Sequence, residues 1–528
     1  MSERLKKTEK ERYGVLGGAI SLSLATLIVK LLGVFYKIPL AAILGDEGMG
    51  YFNSAYTVYA FFYLLCTAGV PKAIMILISE KTAECRGEEI NKIMHIASRA
   101  FLLLGVAVCG AFIIFSEPLA SFIGNSSSRA TMIAVAPSII FVSLSGVLRG
   151  YLSAGMRMVT IAFSQVVEGA GKLVFGLIFA HLGVVLGMPL QIISAMTILG
   201  VTLGSVFGFI FLYIISKSEK TGNNMRQKYK FGEIKDILSG ILKISLPITL
   251  SGALMSITGI IDLSLIMRRL EAVGYTVSEA AGLYGNYTTL AVSIFNLIIS
   301  IITPISLAFI PVFTRAVTVG DEKTFSSSLK SALELSMIIS APLMIGSVVY
   351  SKEILALLFG NSGIDVGAPL LSLLSGGVIF MSALLVTNSA LESLGHTGVP
   401  LFAMLIGSVV KLIVSGILLG NENYGISGAP MGTVISYGVS LIISVIELAK
   451  VTGSGVPLFS TVVLPHLTAL TSVMSSRYVY DRFLSSLGAP SLFLAIGLCA
   501  LIYLIFSLAL GAVSKRKLKI IAKYTNFG

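Results

Sequence analysis

Stretches of about twenty apolar residues, long enough to span the hydrocarbon core of a bilayer as α-helices, follow one another along almost the whole chain. On that length rule fourteen helices are predicted. They fall near 14–40, 52–78, 93–115, 131–150, 159–181, 191–215, 238–267, 284–312, 331–350, 367–391, 400–419, 429–449, 458–474 and 490–511. In lipid every backbone N–H and C=O must be bonded within the protein, which leaves only helices and closed barrels. Runs of this length select helices. Charged residues make up 12% of the 528 and hydrophobic ones 55%, against roughly 25% charged in soluble domains. The expected fold is an all-α polytopic membrane protein, and a soluble enzyme is excluded.

The polar loops carry an alternating charge. With the amino terminus inside, the inner segments 1–13, 81–92, 149–157, 217–235, 315–330, Lys450 and 515–523 hold twenty-five Lys and Arg; the outer loops hold six, Arg129, Arg268, Arg269, Lys352, Arg477 and Arg482. Cytoplasmic loops are the basic ones in membrane proteins. The bias therefore predicts a cytoplasmic membrane location with both termini in the cytoplasm, which requires an even number of helices. The net charge of +12 is explained by this alternation, so nucleic acid is not an expected partner. Met1–Tyr13 is polar and basic, and the apolar run after it is too long for a cleaved signal.

Two stretches echo each other. Residues 147–174, VLRGYLSAGMRMVTIAFSQVVEGAGKLV, read as a turn from Arg149 to Arg157 pivoting on Gly150 and Gly155, then a helix. Residues 387–414, TNSALESLGHTGVPLFAMLIGSVVKLIV, repeat the pattern with Gly395 at the turn and Lys411 within one residue of the Lys172 position. A second echo aligns Gly50 with Gly282 and Thr57 with Thr289, giving a period near 235 residues. The predicted plan is two six-helix lobes in parallel tandem repeat, 1–216 and 237–450. A cytoplasmic linker, 217–236, joins them, with an amphipathic start at Phe231–Ile237. Helices 13 and 14 and a basic tail make up 451–528. In transporters built from such repeats the substrate path lies between the lobes.

The pattern R-G-Y-x-x-A-G-x-x-M-x-x-x-A-x-S-Q-x-x-E at 149–168, with A-G-V-P-K-A at 68–73, resembles the polysaccharide biosynthesis and sporulation branch of the multidrug/oligosaccharidyl-lipid/polysaccharide exporter superfamily. Within it the chain is most similar to stage V sporulation protein B-like proteins, relatives of the lipid II flippases. The likeness runs over nearly the whole chain. It implies that Lys30 occupies a first-helix arginine position of the flippases, and that Tyr36 and Lys37 replace an Arg-Asp pair. It also implies that Asn286 and Tyr287 replace the eighth-helix Asp-Arg pair.

Charge at membrane depth costs about 2.5–3.5 kcal/mol per residue on insertion scales, so it normally faces a cavity or a partner. Seven basic residues lie outside the loops: Lys30, Lys37, Lys72, Arg99, Lys172, Lys243 and Lys411. Arg99 and Lys243 stand near helix ends, where snorkelling accounts for them. Lys30 and Lys37 share a face of the first helix, and Lys72 follows Pro71, a proline expected to kink the second helix. Gln165, Glu168 and Lys172 share a face of the fifth. Two readings fit Glu168 and Lys172: mutual neutralisation one turn apart, or the polar wall of a water-filled pathway. The other deep acid is Asp262, within reach of Arg268 for a local pair. The predicted pathway residues are thus Lys30, Lys37, Lys72, Gln165, Glu168, Lys172, Asp262, Asn286 and Lys411, with Pro71, Gly150, Gly155 and Gly395 as hinges or turns.

Cationic excess suits an anionic substrate such as a lipid pyrophosphate; a cationic drug would want carboxylates. Tyr56, Tyr59 and Tyr63 line one side of the second helix, as a packing stripe or as sugar-stacking rings. The four histidines and the cysteines Cys66, Cys85, Cys109 and Cys499 show no ligand or disulfide spacing, and no phosphate-binding glycine loop exists. No metal and no cofactor is expected beyond a coupling ion, H+ or Na+, or the membrane potential. The reading is a monomeric flippase, not an enzyme, that moves a lipid-linked anionic oligosaccharide across the bilayer by alternating access, alongside cell-wall synthesis machinery. Its rivals are a cation-coupled multidrug exporter of the same fold, a membrane glycosyltransferase or glycan polymerase, and a non-transporting scaffold. The glycosyltransferase reading fits poorly, because each outer loop is about 20 residues or shorter, the length of one membrane span.

Overall fold

A computed structural model describes the backbone of residues 2–84, 87–218, 231–452, 459–484 and 490–509, with side chains over most of 28–507. Cys85, most of the 217–236 linker and the basic run 515–523 lie outside the described residues. The described residues are helical, joined by short turns. Two compact units divide the chain, Met1–Gly285 and Asn286–Gly528.

The first unit holds α1 (Ser2–Thr67), α2 (Val70–Ala83), α3 (Gly87–Ile114), α4 (Ser116–Phe122), α5 (Arg129–Val135), α6 (Ser138–Ala154), α7 (Met158–Val185), α8 (Leu190–Ser218), α9 (Phe231–Ala272) and most of α10 (Val277–Asn286). The second holds α11 (Val292–Val319), α12 (Glu322–Val349), α13 (Ser351–Phe359), α14 (Ile364–Ser375), α15 (Gly377–Ser393), α16 (Gly398–Leu419), α17 (Gly428–Thr452), α18 (Leu464–Val479) and α19 (Pro490–Ala509).

Among the described residues ten helical segments are long and apolar enough to cross a bilayer. There are twelve if the bent pairs Ser126–Val135 with Ser138–Ala154 (43°) and Ile364–Ser375 with Gly377–Ser393 (40°) each make one span. The chain is a multi-pass membrane protein. Ile28–Thr82 counts as one of the ten, yet at 1.5 Å per residue it would run about 80 Å, far beyond a core of about 30 Å. It is broken at Gly45, whose φ of 63° and ψ of −174° only glycine adopts readily, and again at Ala68–Gly69.

The second break shows how sequence and packing combine. The predicted helix 52–78 is interrupted there, and Pro71 sits in the first turn of α2, where a missing N–H costs nothing: the proline marks the break by starting a new helix. Gly69 is needed because α9 crosses there, and a Cβ on it would lie 2.6 Å from the Cα of Ser245. α9, expected to open the second lobe, packs on α1, α2 and α3. Its Ile241 joins a buried cluster with Ile74, Ile78, Ile93, Phe101, Leu152 and Leu212. The amphipathic start of α9 is tied down by Glu233, 2.5 Å from Lys92 of α3.

In the second unit α11 ends on Gly320 in the left-handed conformation. Asp321 then caps α12, its carboxylate accepting from the Thr324 N–H at 3.0 Å and from the Thr324 hydroxyl. Phe313, Phe325, Leu329, Val386 and Leu391 form one buried cluster of this unit. Tyr350, Val473, Leu492 and Tyr503 form another, holding α18 and α19 against α12.

Candidate functional site

The first unit gathers its deep charges around α7. Glycines set the rotation of that helix. Gly200, Gly204 and Gly208 of α8 recur every fourth residue, and their missing side chains let the two backbones touch. A Cβ on Gly171 would lie 2.9 Å from the Cα of Gly204, and one on Gly204 would lie 2.8 Å from the Lys172 N. Close approach through small residues is how helices associate where no water drives them together. With α7 pinned in this way, Glu168 and Lys172 are aimed at α1 and α6.

Glu168 does not pair with Lys172. Its Oε2 lies 2.7 Å from the Arg149 guanidinium of α6, and the two side chains are 25% and 12% exposed. Arg149 therefore belongs to no loop: α6 runs on to Ala154, carrying Arg149 and Gly150 inside it. Gly150 is a close-packing position, where a Cβ would lie 2.8 Å from the Pro71 carbonyl oxygen and the Ile74 Cβ. The turn between α6 and α7 is confined to residues 155–157. There the left-handed conformation falls on Met156 (φ 57°), not on Gly155. Gly395 does take a positive φ, 86°, in the corresponding turn.

Lys172 meets an aromatic ladder instead. Its Nζ lies 4.4 Å from the centre of the Tyr56 ring and 5.5 Å from that of Tyr36. Phe52, Tyr56, Tyr59 and Tyr63 follow at helical spacing along one face of α1. Their successive centroids are 6.2, 5.7 and 5.9 Å apart, and Tyr36 packs edge-on to Phe52 at 6.1 Å. The ladder leads from Lys172 to Arg149 and Glu168, both in electrostatic range of Tyr63. Tyr36, Phe52 and Tyr59 are buried, whereas Tyr56 is 38% exposed. Within the tyrosine stripe Tyr59 is thus packing, Tyr63 is half-buried and Tyr56 is the accessible member. Lys37 is close enough to Lys172 for the two charges to repel. Lys30 and Lys72 are exposed, and Gln165 is half-buried on α7.

The other expected residues lie elsewhere. Asp262 is buried on α9. Arg268 does not reach it and donates to the carbonyls of Phe122 and Ser121 at 3.1 and 3.4 Å. Asn286, in the second unit, is buried with its side-chain amide packed against Gly363, filling the space a Cβ would need. A π-helical turn, Tyr287–Ala291, follows it. Lys411 is half-buried on α16, whose neighbour α17 approaches through Gly432. A turn placed from Arg149, six residues ahead of its start at Gly155, hides the Arg149 partner of Glu168. The four aromatic residues at 52, 56, 59 and 63 were the signal that could have located the ladder. No group of three metal-ligating side chains occurs among the described residues.

The polysaccharide biosynthesis protein family matches residues 15–317, more than half of the chain. The chain belongs to that family. A second family, MatE, matches residues 287–417. Among characterised sequences the chain is 22% identical to "Stage V sporulation protein B" of Bacillus subtilis (strain 168) over 444 residues, 83% of this chain and 84% of that protein. It is 23% identical to "Lipid II flippase MurJ" of the same organism over 491 residues, covering 88% and 86%. The solved structure "Lipid II flippase MurJ, inward closed conformation" superposes with a TM-score of 0.71 at 19% identity, covering 92% of this chain and 98% of the other. This family member has that flippase's fold.

Proposed function

We propose that the protein is a flippase that moves a lipid-linked anionic glycan precursor across the cytoplasmic membrane by alternating access. The work would be cell-wall, spore-cortex or polysaccharide biosynthesis. One observation carries the reading: Glu168 is already matched by Arg149, so the group Arg149, Glu168 and Lys172 keeps the positive charge of Lys172 in excess. A cavity for cationic drugs would need a carboxylate to spare. Ammonium groups beside an accessible tyrosine ring suit a phosphate next to a sugar. Similarity to the lipid II flippase and to the sporulation protein supports the same substrate class.

In this reading the helices number fourteen. Ile28–Thr82 supplies two spans, each bent pair one, and α18 with the turn before it another. Residues 14–216 and 237–450 are the moving lobes, both termini are cytoplasmic, and H+, Na+ or the membrane potential drives the cycle. Thiols introduced at the exposed Asn423 and Thr324 test the topology: an impermeant reagent should label the first in intact cells and not the second. Asn125 cannot serve, because it is buried and donates to Ser54 at 3.0 Å.

Expression in a strain depleted of its lipid II flippase tests the function. Restored growth with lipid II appearing at the outer face is expected. Failure there, with efflux of cationic dyes instead, would establish the multidrug exporter.

A further inference from the structure

A cavity of about 330 Å³ lies at the end of α9, lined by Phe122, Ile261, Ser264, Leu265, Arg268, Arg269 and Ala272. It takes no part in the charge cluster around α7. Arg268 is held by the Phe122 and Ser121 carbonyls, with its guanidinium 5.9 Å from the Phe122 ring centre. Ser264 donates to the same Phe122 carbonyl at 2.6 Å. Those bonds close the end of α4 and use only two of the five N–H donors of Arg268. Arg269 is exposed and has no ion-pair partner among the described residues. The nearby acid, Glu271, has its Oε1 buried against Gly124, where a Cβ would lie 3.1 Å from it, and forms no ion pair with either arginine, so the two guanidinium groups leave one positive charge in excess. Two guanidinium groups outweigh the partial charge of about −0.5 at a helix C-terminus.

An apolar stripe descends from the cavity. Leu242, Leu246, Leu250, Leu254, Ile257 and Ile261 are all exposed and spaced three or four residues apart, one face of a helix. Arg268 follows Ile261 by seven residues, on that same face. The stripe spans about 28 Å at the rise of an α-helix, close to the core thickness of about 30 Å. One leaflet takes half of that thickness, so the half of the stripe next to the cavity, Leu250–Ile261 at about 16 Å, matches one acyl chain, and the charged cavity at its end matches the headgroup.

We propose that the cavity at the end of α9 is a docking site for an anionic phospholipid of the bilayer, its phosphate on Arg268 and Arg269 and an acyl chain along the Leu250–Ile261 part of the stripe. Planar guanidinium groups suit two phosphate oxygens, whereas a zwitterionic headgroup brings its own cation to the site. The lipid is a bound partner of the wall of the transporter, so the proposal stands or falls apart from the transported substrate.

The test is native mass spectrometry of the full chain in detergent, titrated with phosphatidylglycerol and, in parallel, with phosphatidylcholine and soluble glycerol phosphate. Phosphatidylglycerol should bind about tenfold tighter than phosphatidylcholine, the equivalent of about 1.4 kcal/mol. Arg269→Gln, which breaks no fold contact, should lose severalfold of that preference, and Arg268→Gln/Arg269→Gln all of it. An unchanged preference in Arg269→Gln would overturn the site, even where the double variant does not fold. Glycerol phosphate binding as well as the lipid would overturn the docking surface and leave a free phosphate site.

Discussion

The α7–α8 pair of the first unit and the α16–α17 pair of the second use the same packing for different ends. Both bring two helices together through small residues. Gly171 and Gly176 meet Gly204 and Gly200 in the first, while Gly407 and Gly432 meet Ser436, Ser440 and Ser415 in the second. At the spacing that aligns Gly155 with Gly395, Arg149 and Glu168 correspond to Ser389 and Ser408. Around the second pair, polar groups settle locally: Ser408 donates to the Met404 carbonyl at 2.8 Å, and Ser444 to Asn388 at 3.1 Å. A seam with serines in place of the Arg149–Glu168 pair therefore packs as closely as the one that carries it. The ion pair of the first unit is not a requirement of helix packing, which is the physical reason to look for its role in transport.

Removing one partner of that pair should give the largest effect. Glu168→Ala or Arg149→Ala leaves a charge without its partner at membrane depth, and such truncations cost about 3–5 kcal/mol. Membrane abundance and thermal unfolding in detergent should both fall. The double variant Arg149→Met/Glu168→Leu, uncharged at both positions as the second unit is, should recover most of the stability. If it also transports normally, the pair is structural and the contrast between the two regions loses its functional meaning.

A smaller effect separates the seams themselves. In Gly204→Ala the new methyl meets the backbone of α7, which cannot turn aside; in Gly432→Ala it meets chiefly the Ser415 hydroxyl, which can rotate. The first should cost about 1–3 kcal/mol, typical of overpacking, and the second less. Equal melting temperatures for the two variants would show that the seams are equally tolerant.

Lys172→Gln comes next on the scale of stability. A cation over an aromatic ring contributes about 0.5–2 kcal/mol, so the fold should lose no more than that, while flippase activity should fall at least tenfold. Full activity would remove the Lys172–Tyr56 corner from the pathway.

The smallest effect concerns how the helices begin. α12 is capped by Asp321, whereas no side chain caps α7 at Arg157. The Thr324 hydroxyl and N–H hold the Asp321 carboxyl below its ordinary value. A depressed carboxyl stabilises above its unfolded pKa of about 3.9 and loses that contribution as pH falls through the lower folded value. Protection of the amides in the first turn of α12, taken relative to their intrinsic exchange rates, should therefore fall below about pH 4, and Asp321→Ala should show the lower protection already at neutral pH. The first turn of α7 should show no such dependence.

How much was legible in advance differs by residue. The apolar spans, the Gly395 turn and the shared face of Glu168 and Lys172 all follow from local rules: hydrocarbon thickness, the left-handed freedom of glycine, and helical spacing. The Tyr56, Tyr59 and Tyr63 stripe was visible for the same reason, although Tyr36 and Phe52, which complete the ladder, were not. Gly150 looked like a pivot because a glycine near a charge and another glycine suggests a turn. Only the approach of α2 shows that it makes room for Pro71 and Ile74.

What the amino-acid sequence determined by itself is the membrane, the helices and the family, because each depends on neighbours within a few turns or on the average character of a segment. Tertiary structure alone decided the partners of the charges. Lys172 lies one turn from Glu168, and nothing in the local spacing favours Arg149, nineteen residues away. The choice is made by glycines on α8 that set the rotation of α7, and by the continuation of α6 through Arg149. Pairing at membrane depth is a three-body outcome, and one-dimensional spacing carries information about only one of the three helices at a time.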